Sequence, residues 1–134
     1  MRRKSKHRQQ PIAGCQPHLI PISSILIINI FNMKKPSFHI LVCNSYRISG
    51  DAQGACNKKG AQSMIQYFTE NVGDRGIDAV VSATGCLNVC AQGPVVVVHP
   101  QNLWYGGITT EEQMDEILDA IESGGIATKY LISE

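Results

Sequence analysis

The chain has no C-x-x-C motif, no acidic residue in its first 32 positions and no unbroken apolar run of the ~20 residues that a membrane-crossing helix needs. Each absence removes a class of protein. Without C-x-x-C there is no paired-thiol catalyst of the usual kind, in which a helix N-terminus lowers one thiol pKa. No phosphate loop, Ser-His-Asp set or paired-carboxylate motif rises above chance, so nothing marks an enzyme. No internal repeat or low-complexity tract is evident either. At 134 residues with 43% hydrophobic side chains, the chain is about one domain long and able to bury a real core.

The charge is divided along the chain. Arg2, Arg3, Lys4, Lys6 and Arg8 stand in residues 1-32 with no acid among them. Residues 33-134 carry seven basic and all eleven acidic side chains, which favours a basic partner over nucleic acid. The basic start and the apolar stretch Ile20 to Phe31 have the outline of an export signal. Pro21, Ser23, Ser24 and Asn29 interrupt that stretch, however, and no small-x-small cleavage site follows it. The reading adopted is that Met33, followed by Lys34-Lys35-Pro36, begins the working domain (33-134), with 1-32 an N-terminal extension outside it. A domain of this size without a convincing export signal is expected in the reducing cytoplasm, with no membrane association.

Five cysteines are present. Cys15 stands apart in the extension, and Cys43, Cys56, Cys86 and Cys90 form a set with the spacing C-x12-C-x29-C-x3-C. Ser37 to Val42 reads as a buried strand ending at Cys43, and the Gly/Ser/Asn/Asp-rich segment 44-55 as a loop that Cys56 closes. Asn57 is placed to cap a helix whose apolar positions Ala61, Met64, Ile65, Phe68 and Val72 recur at helical spacing, with Gly73 as its end. Ile77 to Ala83 reads as a second strand, followed by a turn at Thr84-Gly85 and the second cysteine pair.

Val95 to Val98 is the strongest strand signal, and its continuous apolar character predicts burial on both faces. His99 to Asn102 turns the chain, and Leu103-Trp104-Tyr105 returns antiparallel. Thr110 and Gln113 form a capping box for a last helix with the inward stripe Met114, Ile117, Leu118 and Ile121, stopped by Gly124-Gly125. Its carboxylates read as a solvated face that could also dock a basic partner. Strand, helix, strand, strand, strand, helix is the layout of an α/β, thioredoxin-like domain with a mixed four-stranded sheet flanked by helices.

Four cysteines delivered by two loops at one edge of such a sheet suit a 2Fe-2S cluster, which needs two thiolates per iron. Chain proximity pairs Cys43 with Cys56 and Cys86 with Cys90. Gly50, Gly54, Gly85 and Gly93 lie where backbone N–H groups could approach the sulfurs. Structural zinc is the main rival, but only Cys86-x3-Cys90 has its usual C-x2-4-C spacing. A dithiol protein lacks its motif, although Cys56 precedes the first helix. A Rieske-type site would need histidine ligands, and His39 in a strand and His99 in a turn read as structural. Trp104 and Tyr105 read as core or interface residues.

HILVCN around Cys43, ATGCLNVCAQGPVVVVHP around Cys86 and Cys90, and LWYGGITTEEQMDEIL after them resemble the thioredoxin-like 2Fe-2S ferredoxins of the Shethna-protein type over Lys34 to Gly124. The resemblance implies Cys43, Cys56, Cys86 and Cys90 as ligands of one 2Fe-2S cluster per chain. It also implies a homodimeric one-electron carrier, not an enzyme, that serves redox protein partners. A cluster-bearing subunit or accessory protein of a larger redox complex would share the same domain.

Overall fold

The computed structural model describes residues 34–49 and 54–133. The extension 1-32 with Cys15, the start at Met33, and Gly50 lie outside the described residues. Lys35–Glu134 form a compact unit. Its elements are β1 (Phe38–Cys43), α1 (Ala55–Lys58), α2 (Ala61–Asp74), β2 (Ala79–Thr84), a 3-10 turn at Cys90–Gln92, β3 (Val96–His99), β4 (Leu103–Tyr105), α3 (Glu111–Ser123) and a second 3-10 turn at Thr128–Tyr130.

The sheet runs in the order β2-β1-β3-β4. β1 is parallel to β2, with Cys43 opposite Thr84, and antiparallel to β3, which pairs antiparallel with β4. The mixed sheet therefore gathers the C-terminal ends of β1 and β2 and the start of β3 at one end. The loops that carry the cysteines leave from that end.

The valine run behaves as its pattern predicts: Val95, Val96, Val97 and Val98 are all fully buried. In β1, buried Ile40 and Val42 alternate with half-buried His39 and Leu41, the period-2 signature of a strand with one face fully covered. α2 contributes Ala61, Met64, Phe68 and Val72 to the same core, and α3 contributes Met114, Ile117, Leu118 and Ile121. Each large apolar side chain so buried is worth about 1.5–3 kcal/mol.

The helix boundaries differ from those read in the sequence. Asn57 does not cap α2, because it lies inside the one-turn helix α1 and its N–H is committed to Ser45 Oγ at 3.0 Å. Gly60, with φ 89°, turns the chain between the two helices and opens α2. Gly73 lies within α2. Gly76, with φ 65°, closes it as a Schellman motif, with Ile77 N–H donating to Val72 O and Gly76 N–H to Gly73 O. Gly124, with φ 69°, closes α3 by the same pair of bonds, and the Thr110–Gln113 capping box is formed at its start.

The second strand begins and ends later than expected, so Thr84 is its last residue rather than part of a turn. Tyr105 is core. Trp104 is half-buried, its Nε1 donating to Asn102 Oδ1 at 2.9 Å. The C-terminal segment, for which the sequence showed no element, folds back beside β4: Gly106 N–H donates to Tyr130 O, Ile132 N–H donates to Trp104 O, and Leu131 bridges to Tyr105.

Candidate metal centre

Cys43 is the last residue of β1, Cys56 lies in α1, Cys86 is two residues beyond β2 and Cys90 opens the 3-10 turn. Backbone bonds hold these segments together. Cys43 N–H donates to Val95 O at 3.0 Å, Asn44 N–H to Thr84 O at 2.9 Å and Cys86 N–H to Tyr46 O at 2.7 Å. Cys56 thus sits inside a helical turn rather than closing a loop, and Ser45 Oγ anchors that turn through the Asn57 N–H.

The four thiols are free and fall into two pairs. Cys43 and Cys56 are buried, and the two lie close enough for Cys43 to push the Cys56 thiol up. Cys86 and Cys90 are partly exposed, with their sulfurs 3.4 Å apart. That separation is far above the ~2.05 Å of a disulfide and close to the ~3.8 Å between two thiolates on one tetrahedral metal with metal–sulfur distances of ~2.3 Å. α1, which carries Cys56, packs against the 3-10 turn that Cys90 opens, so the two pairs face a common region.

Burial pushes the Cys56 thiol up to about 11, while a backbone N–H from Val95 to its sulfur pulls the other way. The Asn88 N–H, 3.4 Å from Cys86 Sγ, and then the Arg47 guanidinium hold Cys86 below its ordinary value. The hydrogen bond with Cys86, and then burial, raise Cys90. Ligating thiols must lose their protons, and a bound metal supplies the positive charge that repays the buried Cys56 for doing so.

Among the described residues no three His, Cys, Asp or Glu side chains converge on one point. Two separate thiol pairs facing a common region fit a dinuclear cluster with two thiolates per iron, whereas one tetrahedral zinc asks for four ligands around a single point. A second observation bears on the fit. Arg47 Nε is buried with no hydrogen-bond partner among the described residues, and Nη2 of the same guanidinium lies 3.3 Å from Cys86 Sγ and 3.8 Å from Cys90 Sγ, so a sulfide-rich anion there would accept from this group.

His39 Nε2 is engaged with Ser82 Oγ at 2.9 Å, and His39 pairs across the sheet with His99, the last residue of β3. Neither belongs to the cysteine cluster. Among the described residues, Gly54, Gly85 and Gly93 make no hydrogen bond to a cysteine sulfur, and the backbone donor within reach of Cys86 Sγ is Asn88 N–H. Gly85 serves a different purpose, since a Cβ there would stand 3.0 Å from Tyr46 O. Arg47 was missed in the sequence. The available signal was its place as the sole cation between Cys43 and Cys56.

No protein-family model matches the chain. It is 35% identical over 102 residues to a 2Fe-2S ferredoxin of Clostridium pasteurianum, an alignment that covers 75% of this chain and 100% of that one. It is 36% identical over 97 residues to a 2Fe-2S ferredoxin of Aquifex aeolicus, with 70% and 86% covered. The crystal structure of the wild-type thioredoxin-like [2Fe-2S] ferredoxin from Aquifex aeolicus matches with a TM-score of 0.63 at 35% identity, over 75% of this chain and 100% of that one.

Fold and centre together define a thioredoxin-like α/β protein with paired thiols on segments gathered at one end of its sheet. The chain belongs to the family of thioredoxin-like 2Fe-2S ferredoxins.

Proposed function

We propose that the protein is a one-electron carrier, not an enzyme, and that Cys43, Cys56, Cys86 and Cys90 hold one 2Fe-2S cluster per chain. The observation that carries this reading is the arrangement of four free thiols as two pairs at one end of the sheet. Cys43 and Cys56 form the buried side of the centre and Cys86 and Cys90 the side that partners can approach. When bound, the cluster supplies reversible one-electron chemistry, and the polypeptide supplies thiolates, N–H donors and a partly dry pocket that tune it.

The remaining features follow from the family resemblance and the charge balance. The protein works in the cytoplasm as a homodimer and meets redox protein partners by charge, the acidic excess of residues 33-134 favouring a basic face. It binds neither nucleic acid nor membrane. Among the described residues no helix is long and apolar enough to cross a bilayer.

Anaerobic purification followed by iron and sulfide analysis and EPR of the reduced sample tests the central claim. About two irons and two sulfides per chain, with one unpaired spin after reduction, are expected; zinc without iron would overturn it. Serine at any of the four cysteine positions should alter the visible spectrum or lower cluster content, whereas serine at Cys15 should do neither. Sedimentation of the loaded protein checks the dimer.

A further inference from the structure

Arg47 is the only cation in the segment 44-55 between Cys43 and Cys56, and among the described residues its guanidinium is directed at sulfur and an amide oxygen. Nη2 donates to Cys86 Sγ at 3.3 Å and to Asn88 Oδ1 at 3.0 Å, with Cys90 Sγ at 3.8 Å. Nε is buried and finds no partner among the described residues. An arginine normally keeps its charged head in water, and a buried charged donor left unpaired is costly. Arg47 as a whole is half-exposed, but its shielded Nε and the Nη2 contacts to two sulfurs favour negative charge beside the Cys86/Cys90 pair. Asn88 helps to fix it: its backbone is left-handed, with φ 65°, which sets its N–H on Cys86 Sγ while its side-chain carbonyl holds the guanidinium.

We propose that Arg47 is a positioning residue that raises the reduction potential of the centre by keeping a fixed cation and sulfur-directed hydrogen bonds at its Cys86/Cys90 end. The inference rests on the four-cysteine cluster reading above. Reduction takes one electron from a donor protein, with no bond made or broken, and leaves the site one unit more negative. A cation in contact with the ligating sulfurs stabilises that form more than the oxidised one, because hydrogen bonds to sulfur and local charge set the potential of such centres. Asn88 acts through Arg47 by limiting where the guanidinium can go.

The test is a potentiometric titration of the full-length, cluster-loaded protein, wild type against R47Q, R47K and N88G, with visible circular dichroism and iron content measured on each. R47Q should lose about tenfold in the equilibrium constant for reduction, which for one electron is about 59 mV to lower potential. R47K, which keeps the charge and loses the planar fork, should recover part of that shift. N88G suits the left-handed backbone and keeps the N–H donor, so it should shift the potential the same way but less.

An R47Q protein with wild-type circular dichroism and iron content and an unmoved potential overturns the proposal. Should R47Q fail to hold its cluster, N88G decides, and an unmoved potential there overturns it equally. Failure of the underlying reading looks different, since the wild type itself would then contain no iron and sulfide.

Discussion

Ser45 shows how much of the centre depends on a residue that ligates nothing. Its side chain is buried, its backbone is left-handed with φ 62°, and its Oγ accepts the Asn57 N–H one position after Cys56. Substitution Ser45→Ala removes that acceptor and is expected to cost about 1 kcal/mol in denaturant unfolding. It should also hasten loss of visible absorption, because the turn holding Cys56 is loosened. Unfolding and bleaching rates equal to the wild type would show that the tie is idle. The same scale accounts for Arg47, whose partner Cys86 is 39 positions away in the chain. No local pattern encodes a contact across that separation, whereas the count and spacing of cysteines are visible to inspection.

At the scale of elements, local and non-local determinants separate cleanly. The capping box of α3 is written within four residues, so Thr110→Ala should cost about 1 kcal/mol and leave the visible spectrum unchanged, which paired denaturation and absorption measurements would check. Gly106 is the opposite case. A Cβ there would meet Gln92 O at 2.8 Å and Ile132 Cγ1 at 3.0 Å, and Gln92 belongs to the 3-10 turn that begins at Cys90. Gly106→Ala should therefore cost about 1–3 kcal/mol and also disturb the centre. A lower melting temperature with an unaltered spectrum would refute the second half of that prediction. The Trp-Tyr-Gly run thus owes its glycine to a close approach between two backbone segments, and nothing in the run itself announces it. α1 and the 3-10 turns escaped notice because a single turn is too short to display a hydrophobic period.

Over the whole molecule, the acidic face of α3 proves to be partly an internal fastening. Arg75, just past the end of α2, bonds Asp115 and Asp119 at 2.6 Å and Glu122 at 3.1 Å, and Tyr67 Oη also donates to Asp115 at 3.0 Å. These pairs are half-open to water, so each is worth about 0.2–1 kcal/mol and the set somewhat more as a network. Arg75→Ala should lower stability by about 1–2 kcal/mol at low salt. The gap should narrow in 1 M salt, where charges more than about 3 Å apart are screened. Urea titrations at two salt concentrations measure this. A salt-independent gap would mean that Arg75 acts by packing, and a changed visible spectrum would mean that it also supports the cysteine-bearing segments, to which it makes no bond among the described residues. Docking of a basic partner on this face therefore competes with Arg75 for three of its carboxylates.

Composition, spacing and period were enough to determine the α/β class, the run of strands and helices and the core stripes of α2 and α3. These are local quantities: a helix stripe repeats within two turns, and a buried strand is a short apolar run. Tertiary structure alone decided the strand order β2-β1-β3-β4 and the register that sets Cys43 opposite Thr84. It also decided that one thiol pair is buried and the other partly open, and that Arg47 and Asn88 supply donors to the Cys86 sulfur. Those outcomes depend on which segments meet after the chain has closed on itself, and the free energy that selects them is spread over the whole core.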